Sequence, residues 1–139
     1  MREILFRGQT QQNNWVYGGI FHGDKFSIIY GYDPVEKHVV YSDTVGQWTG
    51  LYDKNKKRAF EGDIIKTHYA NAKKSDFVET IVFRDGRFCA ELKISPRGKM
   101  YSLLDDGTAH LRQDKSIYMN SFEVVGNIYD NPELLEVQS

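Results

Sequence analysis

The stretch Thr44–Lys66, TVGQWTGLYDKNKKRAFEGDIIK, constrains this chain most, because nearly every glycine, aspartate and apolar residue in it has an assignable mechanical job. Asp53-Lys54-Asn55-Lys56 is a polar loop between Leu51-Tyr52 and Ala59-Phe60, the composition of a β-hairpin tip that faces solvent. Glu61-Gly62-Asp63 precedes Ile64-Ile65, and a glycine between two acids marks a sharp corner into the next strand. Small closed β-barrels need such corners. The segment reads as a turn-rich β unit and holds no cluster of residues poised for chemistry.

The same pattern extends along the chain. Glu3–Arg7 and Trp15–Tyr17, joined by the polar Gln9–Asn14, form a long hairpin, and Gly18-Gly19 leaves room for a bulge or bend before Ile20-Phe21. Phe26–Tyr30 is a third strand, Gly31–Pro34 a turn, and Val39–Tyr41 a further strand. Thr67–Ser75 is polar and is expected to be a long loop or hairpin tip. Phe77–Arg84 and Arg87–Ile94 flank Asp85-Gly86, a dipeptide suited to a two-residue type I′ turn. Met100–Leu104 is too short to assign by periodicity, Asp105–Ser116 is a polar surface excursion, and Phe122–Val125 is a strand. Asn131 followed by Pro132, Glu133 and Leu134-Leu135 has the N-cap pattern of a short terminal helix.

Fourteen per cent aromatic residues, with nine Tyr and eight Phe against three Pro, favour strands over helices. A chain of 139 residues can bury roughly two-thirds of its unfolded surface and needs no disulfide. Its single cysteine, Cys89, sits between Phe88 and Ala90 and reads as a small buried thiol in a reduced compartment. Net charge is −1, so no global field draws the chain to nucleic acid or an anionic membrane, and such binding would need a local patch. No segment approaches a signal peptide or a membrane span, which makes a soluble cytoplasmic protein the expectation.

Candidates for chemistry are sparse. His22, His38, His68 and His110 are scattered, with no pair at zinc-ligand spacing, so no metal and no cofactor is expected. Glu61 and Asp63 are the nearest approach to a carboxylate pair, but the glycine between them favours a backbone role for both. No nucleophile elbow, phosphate loop or dinucleotide fingerprint is present, so no catalytic residue is assigned and the chain is not expected to be an enzyme. Lys54, Lys56, Lys57 and Arg58 form one basic cluster, and Lys66, Lys73 and Lys74 a second, with Trp48, Tyr52 and Tyr69 as rings on which bases could stack.

Three blocks carry a resemblance: Arg2–Arg7, REILFR; Thr44–Asn55 followed by Phe60–Ile65; and Phe122–Leu135, FEVVGNIYDNPELL. In this order they resemble the YopX proteins of phages and bacterial prophages. That family usually has a glycine in the hairpin after Asn55, where this chain carries Lys56. The resemblance implies a mostly β fold of small-barrel character, carriage by a phage or prophage, and no established activity, so it transfers no site residues.

Together these readings predict one YopX-like domain over 1–139: an N-terminal hairpin region, 1–42, and an SH3-like small barrel, 43–139, closed by a short C-terminal helix. Its expected role is protein interaction or self-assembly, with a homo-oligomer or a phage or host protein as partner and no membrane. Aromatic-rich strands beside an apolar tail offer Leu134 and Leu135 as oligomer contacts. The alternative is a nucleic-acid-binding barrel. Trp48, Tyr52, Lys54, Lys56, Lys57 and Arg58 are the candidate binding surface.

Overall fold

A computed structural model describes residues 3–31, 36–73, 76–94, 98–105 and 118–135. The protein is mainly β, and its strands form two antiparallel sheets. The chain divides into two compact units, Met1–Gly50 and Leu51–Ser139.

Unit 1 is a meander of β1 (Phe6–Gln9), β2 (Trp15–Phe21), β3 (Phe26–Tyr30) and β4 (Lys37–Tyr41), followed by a 3-10 turn at Ser42–Thr44 and by β5 (Gly46–Tyr52). Its sheet runs β4-β3-β2-β1-β5. Strand alternation turns Ser27, Ile29 and Val40 inward, where all three are buried. Gly8 in β1 lies directly against Val40: a Cβ at this position would stand 2.7 Å from Val40 Cγ2. The sheet thus curls until β4 leans over β1, and only a residue without a side chain fits at the contact. Polar groups lock the curl. Gln9 N donates to Thr44 Oγ1 at 2.9 Å, and that hydroxyl donates to Tyr41 O at 2.7 Å.

Unit 2 takes up the chain in the second half of β5 and continues with β6 (Arg58–Phe60), β7 (Asp63–Ala70), β8 (Asp76–Arg84), β9 (Arg87–Ile94), β10 (Gly98–Leu103) and β11 (Tyr118–Asn127). The corner between β6 and β7 is where the glycine predicts it. Gly62 has φ +91°, its N–H donates to Ile81 O, its carbonyl accepts from Ile128 N, and Asp63 Oδ2 takes the Phe60 N–H at 2.8 Å. Asp85 and Gly86 both have positive φ, 53° and 81°, as a type I′ turn requires, and Arg84 pairs with Arg87 across it. Ala59, Ile65, Tyr69, Ile81, Ala90, Met119 and Phe122 make the core. Each large apolar member contributes roughly 1.5–3 kcal/mol by leaving water.

Three expectations are corrected here. Among the described residues the five-stranded sheet, β10-β9-β8-β7-β11, does not close into an SH3-like barrel. Successive hairpins lead from β7 outward to β10, while β11 returns to the opposite side of β7, so the two edges never meet. Thr67–Ala70 is not a loop but the end of β7, with Thr67 and Tyr69 turned into the core and His68 outward. Finally, the C-terminal helix is a single 3-10 turn, Pro132–Leu135, in which Leu134 N bonds to Asn131 O at 3.1 Å. The Asn131 side chain does not cap it, because its Oδ1 reaches back to Asn127 N at 3.2 Å. Four residues cannot sustain an α-helix. Met100–Leu103, unassigned by periodicity, lies in β10. Most of the Gly31–Pro34 turn and of the Asp105–Ser116 excursion lies outside the described residues.

Candidate functional site

The 51–60 hairpin is organised by one buried carboxylate. Asp53 is 5% exposed, and its Oδ1 accepts from Asn55 N at 2.8 Å and Lys57 N at 2.9 Å, while Oδ2 accepts from Val124 N at 2.9 Å. An aspartate at the head of a tight turn satisfies the turn's own amides. Here it also fastens the tip to β11, and Lys54 N completes the junction by donating to Phe122 O at 3.0 Å. The tip is therefore docked along one side and open to solvent along the other. Lys56 takes the left-handed conformation, φ 67°, which glycine adopts most readily.

Beside the docked tip lies a polar groove of about 230 Å³, lined by Lys54, Lys66, His68, Asp76, Ser121 and Glu123. Strand register builds it. His68 on β7 faces Asp76 on β8 and Ser121 on β11, and Lys66 faces Glu123, so these side chains share the outer face of the sheet. A bulge between Met119 and Ser121 shifts β11 against β7 at this row. His68 Nδ1 lies 2.9 Å from Asp76 Oδ1. Lys54 Nζ stands 3.6 Å from Glu123 Oε1, and Asn55 Nδ2 donates to the other oxygen at 3.2 Å. The hydrogen bond with His68, reinforced by the fields of His68, Lys66 and Lys54, holds Asp76 below the usual carboxylate range. The groove can receive an anionic group on Lys66, His68 and Lys54, with Asp76 and Glu123 setting a repulsive rim.

The inner face of the same sheet holds a second ionisable pair. Glu79 is 2% exposed, and the Tyr69 hydroxyl reaches its two oxygens at 2.9 and 2.8 Å. Burial pushes Glu79 up to about 7 despite that bond. Burial, then the adjacent carboxylate, also raises Tyr69.

Unit 1 presents a different surface. Phe21, Ile28 and Val39 are cross-strand partners in one row, and the next row pairs Phe26 with Tyr41, their rings 5.5 Å apart. Phe21 is 65% and Val39 52% exposed, so the outer face of β2-β3-β4 is apolar and open to water.

The expected surface residues meet different fates. Lys54 enters the groove, Lys56 and Lys57 are exposed on the tip, and Arg58 lies over the Tyr52 ring with 5.9 Å to its centroid. Trp48, 8% exposed, and Tyr69 are buried, so neither offers a face for a base to stack on. Leu134 is exposed and Leu135 half-buried. Lys54 and Lys66, from separate basic clusters, come together, whereas Lys74 lies outside the described residues. Asp63 has the backbone role expected of it, accepting from Phe60 N, while histidine–carboxylate pairs form at His38–Glu36 and at His68–Asp76, the second revealed only by the register of β7 with β8. Cys89 is a buried free thiol. Among the described residues, no group of three His, Cys, Asp or Glu side chains could hold a metal, and no helix is long and apolar enough to cross a membrane.

Comparison with known proteins bears on the fold and the family. No curated protein matches the chain. It is similar to the crystal structure of protein EF1440 from Enterococcus faecalis, with 26% identity over 98% of this chain and 100% of that one and a TM-score of 0.50. The family model described as YopX protein matches residues 5–136, a span that holds the eleven strands of the described residues and the 51–60 hairpin. The chain belongs to the YopX family.

Proposed function

We propose that this protein is a non-enzymatic accessory protein of a phage or prophage, acting in the cytoplasm of the bacterial host through protein contact, self-assembly foremost. The phage setting rests on the family. The mode of action rests on one observation, the solvent-exposed row Phe21–Ile28–Val39 with Phe26 and Tyr41 beside it. Apolar surface gathered on one sheet face is stabilised by a partner that takes it out of water, at roughly 25 cal/mol per Å². Exposed Leu134 offers a second, smaller contact. Light scattering on a gel-filtration column tests the reading: the wild type runs as a multimer, and Val39→Asp reduces its mass. A multimer that ignores Val39→Asp overturns it.

A second reading has its own observation. Lys54 and Lys66, distant in sequence, line one groove with His68, as a phosphate backbone would require. With Trp48 and Tyr69 buried, such binding would rest on phosphate contacts rather than stacking. Lys54→Glu with Lys66→Glu should then weaken binding of single-stranded DNA and flatten its salt dependence; unchanged binding, or none by the wild type, removes this reading.

A further inference from the structure

The open side of β4 has a defined hydrogen-bonding pattern. Gly31 N donates to Glu36 O at 2.8 Å, and Ser42 N donates to Lys25 O at 2.9 Å. In an antiparallel ladder such bonded pairs recur at every second residue, so positions 36, 38, 40 and 42 face β3. The backbone N–H and C=O groups of Lys37, Val39 and Tyr41 consequently point away from β3, the Tyr41 carbonyl to accept from Thr44 Oγ1 at 2.7 Å. Among the described residues no strand pairs with that side, since β4 ends the sheet order.

We propose that β4 pairs antiparallel with β4 of a second copy of this chain, about a two-fold axis at Val39. This rests on the self-assembly reading above only for the partner, a second copy; the seam is an edge contact that leaves the outer face of the Phe21–Ile28–Val39 row open to water. The outward residues 37, 39 and 41 are symmetric about 39, so each outward residue meets an outward residue: Val39 opposite the partner's Val39, and Lys37 opposite the partner's Tyr41. Four backbone hydrogen bonds then form, two between the Val39 residues and one from each Tyr41 N–H to the partner's Lys37 carbonyl, while each Tyr41 carbonyl keeps its bond from Thr44 Oγ1. Side-chain chemistry agrees with this register. No like charges stand opposite one another, because Lys37 meets a tyrosine and His38 meets the partner's Val40. Asp43, in the turn that follows β4, lies at the far end of the strand from Lys37, and antiparallel pairing brings each lysine to the partner's Asp43 end. The apolar row also becomes continuous, running Phe21–Ile28–Val39 and on through the same residues of the partner. A two-fold seam is closed, so it consumes the exposed edge without inviting further strands.

Two variants separate this seam from simple packing of apolar faces. Val39→Pro keeps an apolar side chain and removes an N–H that no bond to β3 uses, a substitution edge strands tolerate. Phe21→Asp disrupts the face two strands away and leaves the seam intact. By light scattering at roughly 100 µM, the wild type should show twice the 16.1 kDa chain mass. Phe21→Asp should keep the dimer, and Val39→Pro should reduce it to one chain mass with an unchanged circular-dichroism spectrum. Should Val39→Pro misfold, deuterium exchange of the wild-type 37–41 peptide decides the matter: it should slow as concentration rises, and concentration-independent exchange overturns the seam. A multimer lost with Phe21→Asp and kept with Val39→Pro overturns edge pairing while leaving the protein-contact reading in place, as does a dimer built with an extended peptide of another protein alone. A wild type that stays at one chain mass, with no protein bound, overturns both.

Discussion

Asp53 and Val124, 71 residues apart, are joined by a 2.9 Å hydrogen bond from the valine amide to the aspartate Oδ2. With two further amides on Oδ1, this carboxylate sets the turn and its docking at once. Asp53→Ala leaves three N–H groups without their charged acceptor in a buried site. Bonds to charged groups contribute about 1.5–3 kcal/mol each, and the turn amides can partly recover water, so the net loss is expected near 3 kcal/mol. Urea denaturation checks it, and a loss under about 1 kcal/mol would refute the organising role.

Lys56 predicts a change of the opposite sign. At φ 67° its Cβ crowds the backbone, and glycine adopts this conformation freely. Lys56→Gly removes that strain and adds some unfolded-state entropy, for a net gain of about 0.5–1 kcal/mol. Thermal melts of the two proteins, compared at one pH, would show a higher midpoint for the glycine variant.

Glu79 makes stability depend on pH. Its folded pKa, about 7, lies above its ordinary value of 4.5, so the folded state holds the proton more tightly. The associated stability is complete below the unfolded value and is lost as pH rises through 7. Between pH 5 and pH 8 the wild type should lose about 3 kcal/mol from this group. Glu79→Gln, which needs no ionisation, should lack that slope, and the difference between the two proteins isolates it from the histidines. Parallel pH profiles for wild type and variant would contradict the assignment. Asp76, shifted the other way, contributes stability above its unfolded pKa that is lost only in more acidic solution, outside this window.

At the β6–β7 corner, Gly62→Ala faces two penalties together. The φ of +91° disfavours any side chain, and the new Cβ would stand 3.2 Å from Tyr129 Cε2. A loss of about 2 kcal/mol or more is expected from the combined strain. Gly50, at φ +88° with nothing near its missing Cβ, serves as the control: Gly50→Ala should cost about 1 kcal/mol, from conformation alone. Equal effects at the two sites would remove the steric contribution of Tyr129.

What the sequence disclosed was local. The hairpin around Lys54, the corner at Gly62 and the Asp85-Gly86 turn depend on residues a few positions apart, and each stands where composition placed it. What it concealed was decided across strands. Lys66-Thr67-His68-Tyr69 reads as a polar run because both faces of β7 carry polar atoms, yet Thr67 and Tyr69 are in the core. The Tyr69–Glu79 bond explains how a phenol and an acid share that interior, and nothing within a few residues of either announces the other. Asn131 reads in the sequence as a helix N-cap, yet its side chain bonds backward to Asn127. The apolar row on unit 1 is written as alternation in FSIIY and KHVVY, but alternation does not say which face a second layer covers.

The place of β11 in the sheet has a consequence for how the molecule reaches its fold. Neighbouring hairpins join β1 to β4 through short loops and β5 then closes on β1, all within the first half of the chain, whereas β7 must wait for a strand more than forty residues downstream, and the Lys54 tip waits for the same strand. Long loops close slowly because their entropy is lost before their contacts form. On a growing chain, then, unit 1 can take shape while unit 2 still lacks its last strand, and the Lys54 groove is among the last surfaces to exist.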